Sequence, residues 1–141
     1  MPELAPGLVY EQSIVVTPAL TVPSVVALAH FGDMPPVFAT AFMVGFVEDS
    51  CIAAIRPFLQ PGQHSVGIHV DLSHTAATPV GLKVFARVEL VRVEGRRLTF
   101  EVACRDEREA IGGGRHQRML IDQARFEARV AAKTAQSPRS A

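Results

Sequence analysis

The sequence predicts an α+β fold in which an antiparallel five-stranded sheet wraps around one long central helix. Three observations predict it. Val37 to Ile55 reads as a helix of about five turns that is apolar nearly all the way round, and a helix without a polar face is normally buried. The later apolar residues alternate with polar ones in short runs, the period of half-buried strands. The connections between those runs are short, as in a sheet of antiparallel neighbours. A greasy helix needs apolar surface on several sides, and a curled sheet provides it.

Taken in order, Leu8 to Thr17 ends in a β-branched run and reads as the first strand. Pro18 and Pro23 bracket a connector, and Val25 to His30 has the length for one or two helical turns. Phe31-Gly-Asp-Met-Pro-Pro36 is a loop, because Gly and two Pro punctuate it. Those prolines sit well just before a helix start. At the far end Arg56-Pro57 stops the helix, since the residue before proline avoids the α region. Gln60 to Gln63 is a turn. Ser65 to Ser73 alternates Val66, Ile68, Val70 and Leu72 with smaller or polar residues, a half-buried strand. After a break at Thr75 to Gly81, Lys83–Val93 and Arg97–Arg105 form a hairpin closed at Glu94-Gly95. A last strand spans about Glu109 to Phe126, interrupted by Gly112-Gly-Gly114, where glycines suggest a bulge or close approach by a ligand. The domain therefore covers residues 1–126, and 127–141 reads as a frayed tail. This layout is the hotdog arrangement. One sheet edge is left free to pair with a second copy.

Composition narrows the partners. The chain has 141 residues, enough for one domain with a real core. Its 14 basic residues match 14 acidic ones, so there is no electrostatic footprint for nucleic acid. At 48% hydrophobic and 20% charged it is apolar for a soluble domain, which points to a buried subunit interface and hence a homodimer or a higher homo-oligomer. No apolar run is long enough to predict a membrane span, and the N-terminus has no basic n-region. A cytoplasmic address is the expectation. Cys51 and Cys104 form no disulfide framework or metal spacing and read as small core residues. No His/Cys cluster predicts a metal, and Gly112-Gly-Gly114 lacks the Lys-Ser/Thr of a phosphate loop.

The chemistry concentrates on the central helix. Glu48 shares a face with Ala41, Gly45 and Ile52, so it does not belong to a charged stripe. A carboxyl there is either a general base or nucleophile, or a seam residue paired with an arginine. Thr40, in the first turn, is either a cap for free amides or a hydroxyl that positions water, a carboxylate or a substrate carbonyl. His74 ends a strand and is either a structural hydrogen-bonder or an acid/base near neutrality. Arg118 is either the counter-ion for Glu48 or a surface residue. Gly67 is either a bare amide for an oxyanion or a packing site without room for a Cβ. His64 lies in a turn, and His30, His69 and His116 have no partner legible in the sequence.

Three stretches carry a resemblance. Val37-Phe-Ala-Thr-Ala-Phe-Met-Val-Gly-Phe-Val-Glu48, Ser73-His-Thr-Ala-Ala-Thr-Pro79 and Val93-Glu-Gly-Arg-Arg-Leu98 resemble the fluoroacetyl-CoA thioesterase family of hotdog proteins, from about Val15 to Val130. The resemblance implies hydrolysis of a small acyl-CoA thioester by a dimer, with sites close to the subunit interface and no cofactor beyond the substrate's own CoA. It implies that Thr40, Glu48 and His74 are catalytic and that Arg118 and Gly67 lie near the thioester. The family carries a phenylalanine-bearing lid before the helix. Here Phe31 matches one lid position, whereas Met34 stands at the other and makes a more adaptable wall. Phe31, Met34, Phe38 and Phe42 would set the volume of the acyl pocket. Two alternatives have their own features. His30-Phe-Gly-Asp-Met-Pro echoes the His-Phe-Pro-Gly loop of acyl-carrier-protein dehydratases, with a longer spacing to Glu48. A non-catalytic acyl-CoA-binding protein would use the same pocket.

Overall fold

The computed structural model describes residues 3–135. Five strands, β1 (Val9–Val15), β2 (Gln63–His74), β3 (Lys83–Glu94), β4 (Arg97–Asp106) and β5 (Ala110–Asp122), form one antiparallel sheet in the order β1-β3-β4-β5-β2. The helix α1 (Thr40–Ile55) lies against it, and a second helix α2 (Gln123–Ala135) follows β5 directly. This is the expected α+β wrap around one long helix.

Strand periodicity builds the core. On β3 the inward residues Val84, Ala86, Val88 and Leu90 are fully buried, and on β4 Leu98, Phe100, Val102 and Cys104 repeat the phase. They meet Met43, Phe46, Val47, Cys51, Ala54 and Ile55 of α1. Each such aliphatic or aromatic side chain contributes on the order of 1.5–3 kcal/mol by leaving water. The β3–β4 hairpin turns through Gly95 and Arg96, and Gly95 takes the positive φ (60°) that a two-residue loop requires. Gln12 ties β1 to the helix, donating to Asp49 Oδ2 at 2.8 Å and Ser50 Oγ at 2.9 Å.

Four expectations are corrected. The helix begins at Thr40, not Val37, because Val37 and Phe38 are held as bridges to Pro79 and Thr21. Val25–His30 forms turns rather than helix, with Leu28 N donating to Val25 O and Phe31 N to Leu28 O. On β2, Ile68 and Val70 are 42% and 45% exposed, because β2 is an edge strand whose register shifts between Gly67 and His69. The segment read as a tail from Glu127 continues α2 to Ala135, whose start is secured by Asp122 accepting from the Arg125 amide. Residues 136–141 of that tail lie outside the described residues.

The glycine run has a structural explanation. A Cβ on Gly112, Gly113 or Gly114 would run into the backbone of Ser73, Val102 or Asp71 respectively. The close approach is by the neighbouring strands β2 and β4, and the β4–β5 ladder shifts register beside the run, between Cys104 and Arg105, the bulge that the glycines suggest. Among the described residues no helix is long and apolar enough to cross a membrane, and no group of three or more His, Cys, Asp or Glu is placed to hold a metal.

Candidate active site

The helix is less enclosed than its composition predicts. One five-stranded layer covers only one side of a cylinder, so Ala41, Gly45 and Asp49 are exposed and Glu48 and Ile52 are half-buried. Glu48 therefore stands at the border between the core and an uncovered helix face.

At the start of α1 the cap position is Ala39, which offers no side-chain bond, so the hydroxyl of Thr40 is not spent on capping. It lies instead 2.8 Å from Nδ1 of His74. The contact is assembled by the connector after β2. Phe38 N donates to Thr78 O, Ala39 N donates to Leu20 O, and Thr75 N donates to Ile111 O, so the end of β2 and the start of α1 are locked together. Phe38 itself is 1% exposed and meets the His74 ring edge-on, with centroids 6.2 Å apart at 71°. Burial lowers the His74 pKa below its ordinary 6.5, against the opposing pull of the Ala76 backbone. His74 Nε2 is buried and has no hydrogen-bond partner. A neutral imidazole with one nitrogen engaged and the other unpaired can take up a proton there.

The second group forms further along the helix. Glu48 Oε2 accepts from Arg118 Nη1 at 2.8 Å, so the expected counter-ion is in place. Arg118 is 4% exposed at its side chain, against 37% for Glu48. Two more bonds orient the guanidinium: Nε donates to Ser65 Oγ at 2.7 Å and Nη2 to Ser65 O at 3.0 Å. Gly67, paired with Arg118 in the β2–β5 ladder, packs beneath the carboxylate. A methyl at Gly67 would stand 2.7 Å from Glu48 Oε2 and 3.4 Å from Arg118 Nη1. The space that glycine leaves is filled by the carboxylate itself.

Thr40 and Glu48 are eight residues apart, which is about 12 Å along a helix axis. One chain thus holds two polar groups, Thr40–His74 and Glu48–Arg118–Gly67, rather than a single joined triad. Of the aromatic and lid residues, Phe31 and Phe42 are half-buried and Met34 is 44% exposed. The two cysteines remain inert thiols: burial pushes Cys51 up to about 12 and Cys104 to about 11. One cleft of the single chain, about 480 Å³, lies on the uncovered side of α1 against Asp49, Ile52, Ala53, Arg56 and Pro57.

Sequence reasoning missed Ser65 and His116, the residues that surround Arg118. The available signal was phase: His116, Arg118 and Leu120 alternate on one face of β5, and all three are buried.

Comparison with known proteins agrees with this architecture. The family described as fluoroacetyl-CoA-specific thioesterase matches residues 16–124. A fluoroacetyl-CoA thioesterase of Streptantibioticus cattleyicolor is 47% identical over 105 residues, covering 74% of this chain and 76% of that protein. A solved structure of a fluoroacetyl-CoA thioesterase superposes with a TM-score of 0.91 at 40% identity, covering 97% of this chain and 100% of the other. A variant of the fluoroacetyl-CoA-specific thioesterase in complex with fluoroacetate and CoA gives 0.84 at 41% identity, over 87% and 99% of the two chains. A thioesterase superfamily member from Thermus thermophilus gives 0.85 at 29% identity, over 95% and 96%.

Proposed function

The chain belongs to the fluoroacetyl-CoA-specific thioesterase family, and from that premise we propose that it hydrolyses a short acyl-CoA thioester to the free acid and CoA. The reaction needs no cofactor beyond the CoA of the substrate. The observation that carries the site is the Thr40–His74 bond of 2.8 Å with His74 Nε2 buried and unpaired. A polar atom in that state has given up water without gaining a partner, and substrate can supply one.

The two polar groups of one chain are joined by dimerisation. β2 is an edge strand with Ile68 and Val70 exposed. Antiparallel pairing of two β2 edges, centred between Val70 and Asp71, sets His74 of one protomer opposite Gly67 of the partner. It also covers apolar surface that a lone sheet edge would leave open to aggregation. Each of the two resulting sites then takes Thr40 and His74 from one copy and Glu48, Arg118 and Gly67 from the other.

In that site the acyl carbonyl rests at Gly67, whose amide donates to the developing oxyanion; such a donor is commonly worth about 3–4 kcal/mol of barrier. Glu48, held by Arg118, takes a proton from water as the water oxygen bonds to the carbonyl carbon. Thr40 keeps His74 in orientation. The tetrahedral oxyanion collapses, the C–S bond breaks, and the proton passes through His74 Nε2 to the departing sulfur. One water is consumed, and both side chains return to their starting states. In this reading Phe31, Met34, Phe38 and Phe42 set the acyl pocket, and the thioether at Met34 makes a more adaptable wall than a phenylalanine would.

Thiol release from fluoroacetyl-, acetyl- and propionyl-CoA tests the proposal. Glu48→Gln and His74→Ala are each expected to lower kcat by about 100-fold or more, the scale of a lost acid/base group. Unchanged turnover in both variants would sink the assignment. A stable acyl-CoA complex that releases no CoA would instead identify a binder, and consumption of an enoyl thioester without thiol release would identify a hydratase.

A further inference from the structure

His116 is fully buried on β5 and has no part in the chemistry above. Its Nδ1 lies 2.8 Å from the carbonyl oxygen of His69, and its Nε2 lies 3.1 Å from Arg118 Nη1. A carbonyl oxygen only accepts, so Nδ1 must carry the ring proton. A guanidinium only donates, so Nε2 must present its lone pair. Both contacts select the same species, the neutral imidazole protonated at Nδ1. Arg118 Nη1 has two protons, one directed to Glu48 Oε2 at 2.8 Å and the other to His116. With Ser65 on Nε and Nη2, the guanidinium is gripped on three of its nitrogens.

We propose that His116 is a positioning residue of this site: as a neutral imidazole it fixes the Arg118 guanidinium, and through it holds the Glu48 carboxylate above Gly67. The kinetic consequence rests on the role given to Glu48, whereas the tautomer and the grip on Arg118 do not. The surroundings support the neutral form, since burial and the Arg118 charge lower the His116 pKa, against the His69 carbonyl and Glu48. The charged or titratable groups facing the ring are Arg118 from its own strand, Glu48 from α1 and His69 from β2. Protonation of Nε2 would set a donor against a donor at 3.1 Å and loosen the guanidinium.

The experiment combines 15N NMR of the intact protein with kinetics of two variants. In the wild type the imidazole nitrogens of His116 are expected to report protonated Nδ1 and bare Nε2 at neutral pH, with the Arg118 Nη protons slow to exchange. His116→Asn keeps a donor for the His69 carbonyl and loses the acceptor for Arg118. It should release the Nη protons to fast exchange and lower kcat by about 10- to 100-fold, the range set by one hydrogen bond to a charged group. The KM should stay within about twofold, because the residue acts on orientation of a catalytic group rather than on substrate binding. His116→Gln, whose side-chain oxygen reaches the Nε2 position, should restore most of both properties. An Nε2-protonated ring in the wild type overturns the proposal without any variant. Unchanged Arg118 exchange in His116→Asn also overturns it. If Glu48→Gln is fully active while Arg118 behaves as expected, the failure belongs to the assigned role of Glu48 and not to the grip of His116.

Discussion

Gly67→Ala probes the site with a single methyl group. The added Cβ would stand 2.7 Å from Glu48 Oε2, 3.3 Å from His116 Cε1 and 3.4 Å from Arg118 Nη1. Such a contact relaxes only near about 3.4 Å, so the carboxylate must retreat by about 0.7 Å. Glu48 is not free to do so at no cost, because Arg118 holds the same oxygen at 2.8 Å. Stretched by that amount, the ion pair falls outside good hydrogen-bond geometry. Glu48 is partly exposed, so the loss of stability should stay at or below about 1.5 kcal/mol, the low end for a charged bond, because solvent screens the pair. Gly67 does not use a left-handed φ, so the backbone accepts alanine and the fold should survive. Activity is expected to fall by about 100-fold, the scale of a displacement approaching 1 Å in a catalytic group. Thiol release by Gly67→Ala, Glu48→Gln and the double variant forms a cycle. If the methyl acts by displacing Glu48, it costs little in the Glu48→Gln background. A full, additive loss there would place the damage elsewhere, and wild-type turnover in Gly67→Ala would refute the carboxylate's role.

Four other outcomes are expected. Thr40→Val, close in volume but without the hydroxyl, should lower kcat by about tenfold or more through loss of the His74 bond, while Thr40→Ser retains activity; the opposite order would mean that Thr40 only packs. His74 and His116 both have pKa values lowered from 6.5 by burial, so the unfolded chain takes up protons near pH 6.5 while the native chain does not. Stability is then present above pH 6.5 and declines toward pH 5. A calorimetric Tm that stays flat or rises over that window contradicts this. The acid limb of kcat/KM should likewise fall below pH 6.5, since His74 must be neutral to accept a proton. Val70→Lys places a charge on the exposed β2 edge and should yield a monomer by sedimentation with turnover lost; an active monomer would show that one chain holds a complete site.

Much of the fold was legible because hydrophobic period is a local property. The alternation in Lys83–Val93 and Arg97–Arg105 marked β3 and β4 within a residue or so of their observed ends. Glu94-Gly95 marked their turn, since a left-handed loop position favours glycine. Where the reading failed, something distant in sequence intervened. Val37 and Phe38 have helical company in the chain but are drawn into bridges with Pro79 and Thr21. Ile68 and Val70 alternate as a core strand should, yet β2 ends up at the sheet edge with its register shifted between Gly67 and His69. The end of the chain was read from its polar composition, which describes an exposed helix as well as a frayed tail.

The site divides in the same way. Thr40, Glu48 and His74 stood out in the sequence because a hydroxyl, a carboxyl and an imidazole are conspicuous among apolar neighbours, and desolvation makes such groups costly without a purpose. Their identity and their place on an apolar helix and a strand end followed from the chain alone. Partnership did not. A hydrogen bond depends on angstroms between groups 34 residues apart for Thr40 and His74, and 70 apart for Glu48 and Arg118. Only the packed sheet brings Ser65, His116 and Arg118 to one face under the carboxylate. Only the pitch of the helix separates Thr40 from Glu48 by two turns, and so places the Thr40–His74 and Glu48–Arg118 contacts apart within one chain, a separation the sequence left open.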